Sequence, residues 1–161
     1  MAQPMVAKVG IPMEFGSIER EMHINATPEV VYEVISTPEH VREWWSDDAK
    51  FDSAPGATGM VSFGDPAAKV APLTVLETDP PRRFSFYWVY DDEPASAANA
   101  LTVTFDLVPS GDGTLLRFTE SGFLQRWAGA EAEEAYLDHS RGWDLFLPRL
   151  GEYVARLVAT P

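Results

Sequence analysis

Residues 18–45, IEREMHINATPEVVYEVISTPEHVREWW, change their hydrophobic period abruptly, and that change decides the fold. Over Ile18–Asn25, Ile18, Met22 and Ile24 fall on one face while Glu19, Glu21, His23 and Asn25 fall on the other, the alternation of a half-buried strand. Thr27-Pro28-Glu29 then supplies an N-cap hydroxyl, a proline at the first helical position and an acid in the first turn. Val30, Val31, Val34 and Ile35 follow at helical spacing, and Thr37-Pro38-Glu39 repeats the start signal. A strand followed by two short helices, about 27–36 and 37–45, is expected, the second ending in Trp44-Trp45.

Outward from this segment, period two dominates between Phe51 and Gly122. Turn residues punctuate it at Pro55-Gly56, Gly64-Asp65-Pro66, Pro80-Pro81 and Ser110-Gly111-Asp112-Gly113. Five strands fit, near 58–63, 69–78, 82–90, 100–108 and 114–122, with a polar loop over 91–99. The tail returns to helical spacing, placing Ala132, Tyr136, His139, Trp143, Phe146, Leu147, Leu150, Val154 and Leu157 on one stripe. Pro148 lacks the N–H that would continue the helical ladder and is expected to kink this helix. The pattern is α+β: a curved six-stranded antiparallel sheet that buries its apolar face against the terminal helix. A single domain over 18–158 is expected, with 1–17 as a leader that is partly ordered or flexible.

Composition removes several function classes. Twelve Lys+Arg against 25 Asp+Glu leave a formal charge of −13, which repels phosphate backbones and anionic lipid surfaces, so neither nucleic acid nor membrane is an expected partner. No stretch is long and apolar enough to span a bilayer, and Pro4, Lys8, Gly10, Pro12 and Glu14 interrupt the start before a signal core can form. The absence of cysteine excludes disulfides, thiol nucleophiles and thiolate metal sites and permits a reducing compartment, so a cytoplasmic location is expected. His23, His40 and His139 have no second ligand at the spacing of a metal motif, and neither metal nor cofactor is expected.

The segment at 18–45, ESGF at 120–123 and GWDLFLPRL at 142–150, in this order of elements, resemble the START-like helix-grip superfamily often called SRPBCC. Within it the similarity is to the branch named after the activator of heat-shock-protein-90 ATPase, over about 18–158. The resemblance implies a curved antiparallel sheet wrapped around a long C-terminal helix with a cavity between them. It implies binding of apolar small molecules, with cyclisation or hydrolysis in a minority of members. The namesake co-chaperones carry a further N-terminal domain, which the 17 residues before Ile18 do not supply. The family prescribes no fixed catalytic set, so no catalytic residue carries over by motif.

Candidate cavity residues follow from the inward faces. Phe84, Phe86, Trp88 and Tyr90 share one strand face; Phe105 and Phe118 lie on the corresponding faces of the next two strands. His139, Trp143 and Phe146 come from the helix stripe, and Trp44 and Trp45 from the end of the second short helix, one expected in the core and one partly exposed. Glu120 shares a face with Leu116 and Phe118, and Arg20 shares one with Ile18 and Met22. A charge on an apolar face needs a partner, and in the family topology the first and last strands are neighbours, so these two are expected to pair. Three readings stay open. The first is a non-enzymatic binder of a hydrophobic or aromatic small molecule. The second is a cyclase- or hydrolase-type enzyme using Glu120, His139 or Tyr90 as acid or base. The third is a protein-interaction module with a filled interior, for which a protein partner or a homodimer is open.

Overall fold

The computed structural model describes residues 16–64, 69–89, 100–127 and 129–159. β1 (Ser17–Ile24) leads into α1 (Pro28–Ser36) and α2 (Pro38–Trp44). Next come β2 (Asp48–Lys50), β3 (Thr58–Phe63), β4 (Lys69–Asp79), β5 (Arg83–Trp88), β6 (Leu101–Ser110) and β7 (Gly113–Ser121). A single-turn helix, α3 (Phe123–Arg126), precedes the long α4 (Gly129–Ala159).

The helix starts use the expected chemistry. Thr27 Oγ1 accepts the Val30 N–H at 3.4 Å, with Pro28 in the first turn of α1 and Glu29 beside the N-terminal end of the dipole. Thr37 caps α2 through its backbone alone, its carbonyl accepting from His40 and Val41. The buried side of α1 is Val31, Tyr32, Val34 and Ile35, which sets it against the sheet.

The sheet has seven strands in the order β1-β7-β6-β5-β4-β3-β2, every pair antiparallel. The six-strand expectation is corrected by β2, which pairs with Met60–Ser62 of β3. Its three residues are too few to display an alternation, so the sequence carries no period there to read. The β6–β7 hairpin is longer than expected because Gly111, at φ +60°, makes a tight turn and lets pairing continue to Ser110↔Gly113. Register shifts between Val75 and Glu77 mark a bulge in β4.

One face of the sheet and the helices enclose the core. Phe84, Phe105 and Phe118 are fully buried on neighbouring strands, and Trp44 packs edge-on to Phe105 at 6.2 Å. Helix α4 is continuous through Pro148 and buries Ala132, Trp143, Leu147, Leu150 and Val154. Leu157, expected on that inward stripe, is exposed in the last turns, beyond the reach of the sheet. Trp44 and Trp45 are both buried, at 2% and 6% exposure, where one was expected to reach solvent. The reason is local: Trp45 is the C-cap, with φ −116° and ψ −73°, so it leaves the helical wheel on which adjacent residues diverge.

Candidate functional site: an aromatic recess over a buried carboxylate

Alternation along β7 turns Leu116, Phe118 and Glu120 inward, and Glu120 is completely buried. Its strand neighbours are Ile18 on one side and Val103 on the other, which offer the carboxyl nothing polar from their side chains. The partners come instead from β5 and α4. Trp88 Nε1 donates to Oε2 at 2.7 Å, Trp143 Nε1 donates to Oε1 at 2.8 Å, and His139 Nδ1 lies 2.9 Å from the same Oε1. Indole N–H groups only donate, so the carboxylate form satisfies both tryptophans and takes the His139 N–H as well. Burial disfavours a charge on His139, but its hydrogen bond to Glu120, the Glu120 charge and that of Asp138 outweigh this, and its pKa is raised.

Arg20 is not the partner of Glu120. The register sets Ile18 opposite Glu120 and Arg20 opposite Phe118, one pleat further along. Arg20 reaches Asp144 on α4, Nε to Oδ1 at 2.8 Å and Nη2 to Oδ2 at 3.3 Å, in a partly exposed pair. The adjacent helix residues Trp143 and Asp144 thus serve the two β-strand charges separately.

Above the carboxylate lies a recess of about 170 Å³, bordered by Trp45, Phe63, Trp88, Asp138, His139, Gly142, Trp143 and Phe146. The rings support one another: Trp45 stacks with Trp143 at 5.2 Å and meets Trp88 edge-on at 5.1 Å. Phe63 closes the circuit, 5.8 Å from Trp45 and 6.3 Å from Phe146. Such offset and edge-to-face contacts pack the rings against one another and fix the side chains that border the recess.

Of the residues singled out from sequence, Trp45, Trp88, His139, Trp143 and Phe146 come together at this recess, with Glu120 bonded beneath it. Trp44, Phe84, Phe86, Phe105 and Phe118 are packed in the core and do not border it. Tyr90 lies outside the described residues. Phe63, Asp138 and Gly142 were missed. The signal for Phe63 was its two-residue spacing from Val61; that for Gly142 was a residue without a side chain beside the bulky stripe of α4. At Gly142 an added Cβ would meet only the Phe146 ring, at 3.8 Å, so the glycine contributes open space to the recess. Among the described residues, no group of three His, Asp or Glu side chains is placed to hold a metal ion. No helix among them is long and apolar enough to cross a membrane.

Known structures repeat this architecture. Protein MLL2253 of Mesorhizobium loti is similar at 27% identity and a TM-score of 0.74, over 87% of this chain and 97% of that one. CalU16 of Micromonospora echinospora is similar at 23% identity and a TM-score of 0.67, over 89% of this chain and 78% of its own. The Aha1 dimer of Colwellia psychrerythraea is similar at 21% and 0.69, over 86% and 95%. No curated protein matches the chain. The sequence profile of the family described as "Activator of Hsp90 ATPase homolog 1-like protein" matches residues 25–155, and the chain belongs to that family.

Proposed function

We propose that the protein binds a small, largely apolar molecule in the recess between β5 and α4, without transforming it. The observation that carries this reading is a recess walled by five aromatic side chains over a polar group that is already satisfied within the protein. Binding sites for small molecules share this make-up of apolar walls and a few fixed polar groups. Volume sets the ligand class. At about 170 Å³ the recess resembles apolar cavities of roughly 150 Å³ that take a benzene-sized guest, and it falls below the roughly 300 Å³ at which drug-sized pockets begin. The ligand is therefore one ring or a comparably compact group, or the compact end of a longer molecule.

Gly142→Leu tests this. The substitution projects a side chain into the recess from a helical position with room for a Cβ, and leucine favours the helix over glycine by roughly 0.8 kcal/mol. Para-cresol is expected to raise the melting temperature of the wild type and to leave Gly142→Leu, folded and at least as stable, unmoved. Equal shifts in both proteins would place any binding elsewhere.

A further inference from the structure

We propose that Phe146 determines which molecules fit the recess: it is the wall that admits a single ring and excludes a fused pair of rings. The inference rests on the reading of the recess as a binding site and adds the residue that limits the size of its ligand.

The five aromatic walls are not equivalent. Trp45, Trp88 and Trp143 are 6%, 5% and 2% exposed. Trp88 and Trp143 are tied to the buried Glu120 carboxyl at 2.7 and 2.8 Å, and Trp45 lies against both at 5.1 and 5.2 Å. None of the three can move aside without disturbing a close-packed core. Phe63 and Phe146 are half-buried. Phe63 is set in β3 and meets Trp45 at 5.8 Å and Trp88 at 6.4 Å as well as Phe146. Phe146 is the wall least held by its neighbours, since it meets Phe63 and Trp143 at 6.3 Å each, near the far end of the range over which rings attract.

The position of Phe146 on α4 shows how it limits the space. In a helix a long side chain leans toward the preceding turn, so Phe146 covers Gly142, four residues back on the same face. A Cβ added at Gly142 would lie 3.8 Å from Cε2 of that ring, an ordinary contact. The ring and the bare backbone of Gly142 therefore border the recess together. Arg149 is exposed and stands outside the lining, with its guanidinium 5.5 Å from the centre of the Phe146 ring, where it backs that ring from without. At about 170 Å³ the recess matches apolar cavities of roughly 150 Å³ that hold benzene, so a second fused ring has no room while Phe146 stays in place. Trimming Phe146 to alanine takes a whole ring from the wall, and naphthalene exceeds benzene by less than that.

Para-cresol and 2-naphthol, a single and a fused ring each with one phenolic hydroxyl, separate the two sizes in calorimetric titrations of wild type, Phe146→Ala and Phe146→Leu. The wild type is expected to prefer para-cresol about tenfold or more, the penalty for overfilling a packed apolar site. Phe146→Ala should reverse that preference, with para-cresol weakened severalfold by the loss of a wall. Phe146→Leu keeps the helix and part of the wall, and should shift the preference the same way by a smaller amount. A wild type that binds 2-naphthol as tightly as para-cresol, or the same preference in all three proteins, would overturn the inference. If para-cresol binds and the preference does not follow the substitutions, the size assignment fails while the recess remains a binding site; if neither phenol binds any of the three proteins, both fail.

Discussion

Glu120 organises the site because three donors depend on it. Removing its carboxylate takes from the Trp88 and Trp143 indoles and the His139 imidazole the acceptor they share at a fully buried position. Each unsatisfied buried donor costs about 1–3 kcal/mol, and loss of one member of a buried pair about 3–5 kcal/mol. Glu120→Leu is therefore expected to lower stability by about 3–5 kcal/mol, read as a fall in the urea midpoint. A change below about 1 kcal/mol would mean that the donors find other partners. His139 adds a pH dependence. Its folded pKa is raised against burial by Glu120 and Asp138, so its contribution is complete below the unfolded value near pH 6.5 and disappears as pH climbs through the folded value. The stability gap between wild type and His139→Gln should accordingly be larger at about pH 5.5 than at about pH 9. A gap that widens with pH would reverse the assignment. At this scale the sequence reveals that Glu120 must have a partner but not which one: alternation places it inward, whereas the partners are set by how far α4 slides along the sheet. That slide put Asp144 on Arg20 and left Trp143 and His139 for Glu120.

Among the elements, the ones with strong periodic patterns were legible and the short ones were not. The strand at Ser17–Ile24, the two proline-led helices and the terminal helix follow from spacing and capping. β2 escaped because three residues make no pattern, and the burial of Trp45 escaped because a C-cap leaves the helical repeat. Gly59 carries the mark of that hidden strand. An added Cβ there would run into the Lys50 carbonyl and Phe51, so the glycine lets the end of β2 lie close against β3. Gly59→Ala is expected to cost about 1–3 kcal/mol and to raise amide exchange first in Asp48–Lys50. Exchange rates unchanged in that strand would show that the close approach is dispensable. The Gly142 position is the contrasting case, a glycine with room around it whose absence of side chain serves the recess.

For the molecule as a whole, the sheet separates two chemistries. Its outer surface carries cross-strand ion pairs, Arg117 with Glu21 at 2.8 Å and Arg83 with Asp106 at 2.7 Å, both exposed and each worth at most about 1 kcal/mol. Its inner surface carries the aromatic core, to which α1, α2 and α4 contribute buried side chains. A resemblance to the family anticipated the sheet wrapped on a helix, and with it a cavity. What the residues did not disclose was which inward rings border the recess: Phe84, Phe86 and Phe105 share faces and chemistry with Trp88 and all four are buried, yet of these four Trp88 is the one at the recess. The five tryptophans turn that distinction into a measurement. Trp45, Trp88 and Trp143 border the recess, while Trp44 is buried in the core and Trp127 lies on a different surface. In a ¹⁵N-resolved spectrum of the indole N–H groups, adding para-cresol is predicted to shift the resonances of Trp45, Trp88 and Trp143 together along one saturating curve and to leave Trp44 and Trp127 in place. Shifts confined to Trp127, or no saturable shift in any of the five, would contradict the assignment of the recess as the binding site.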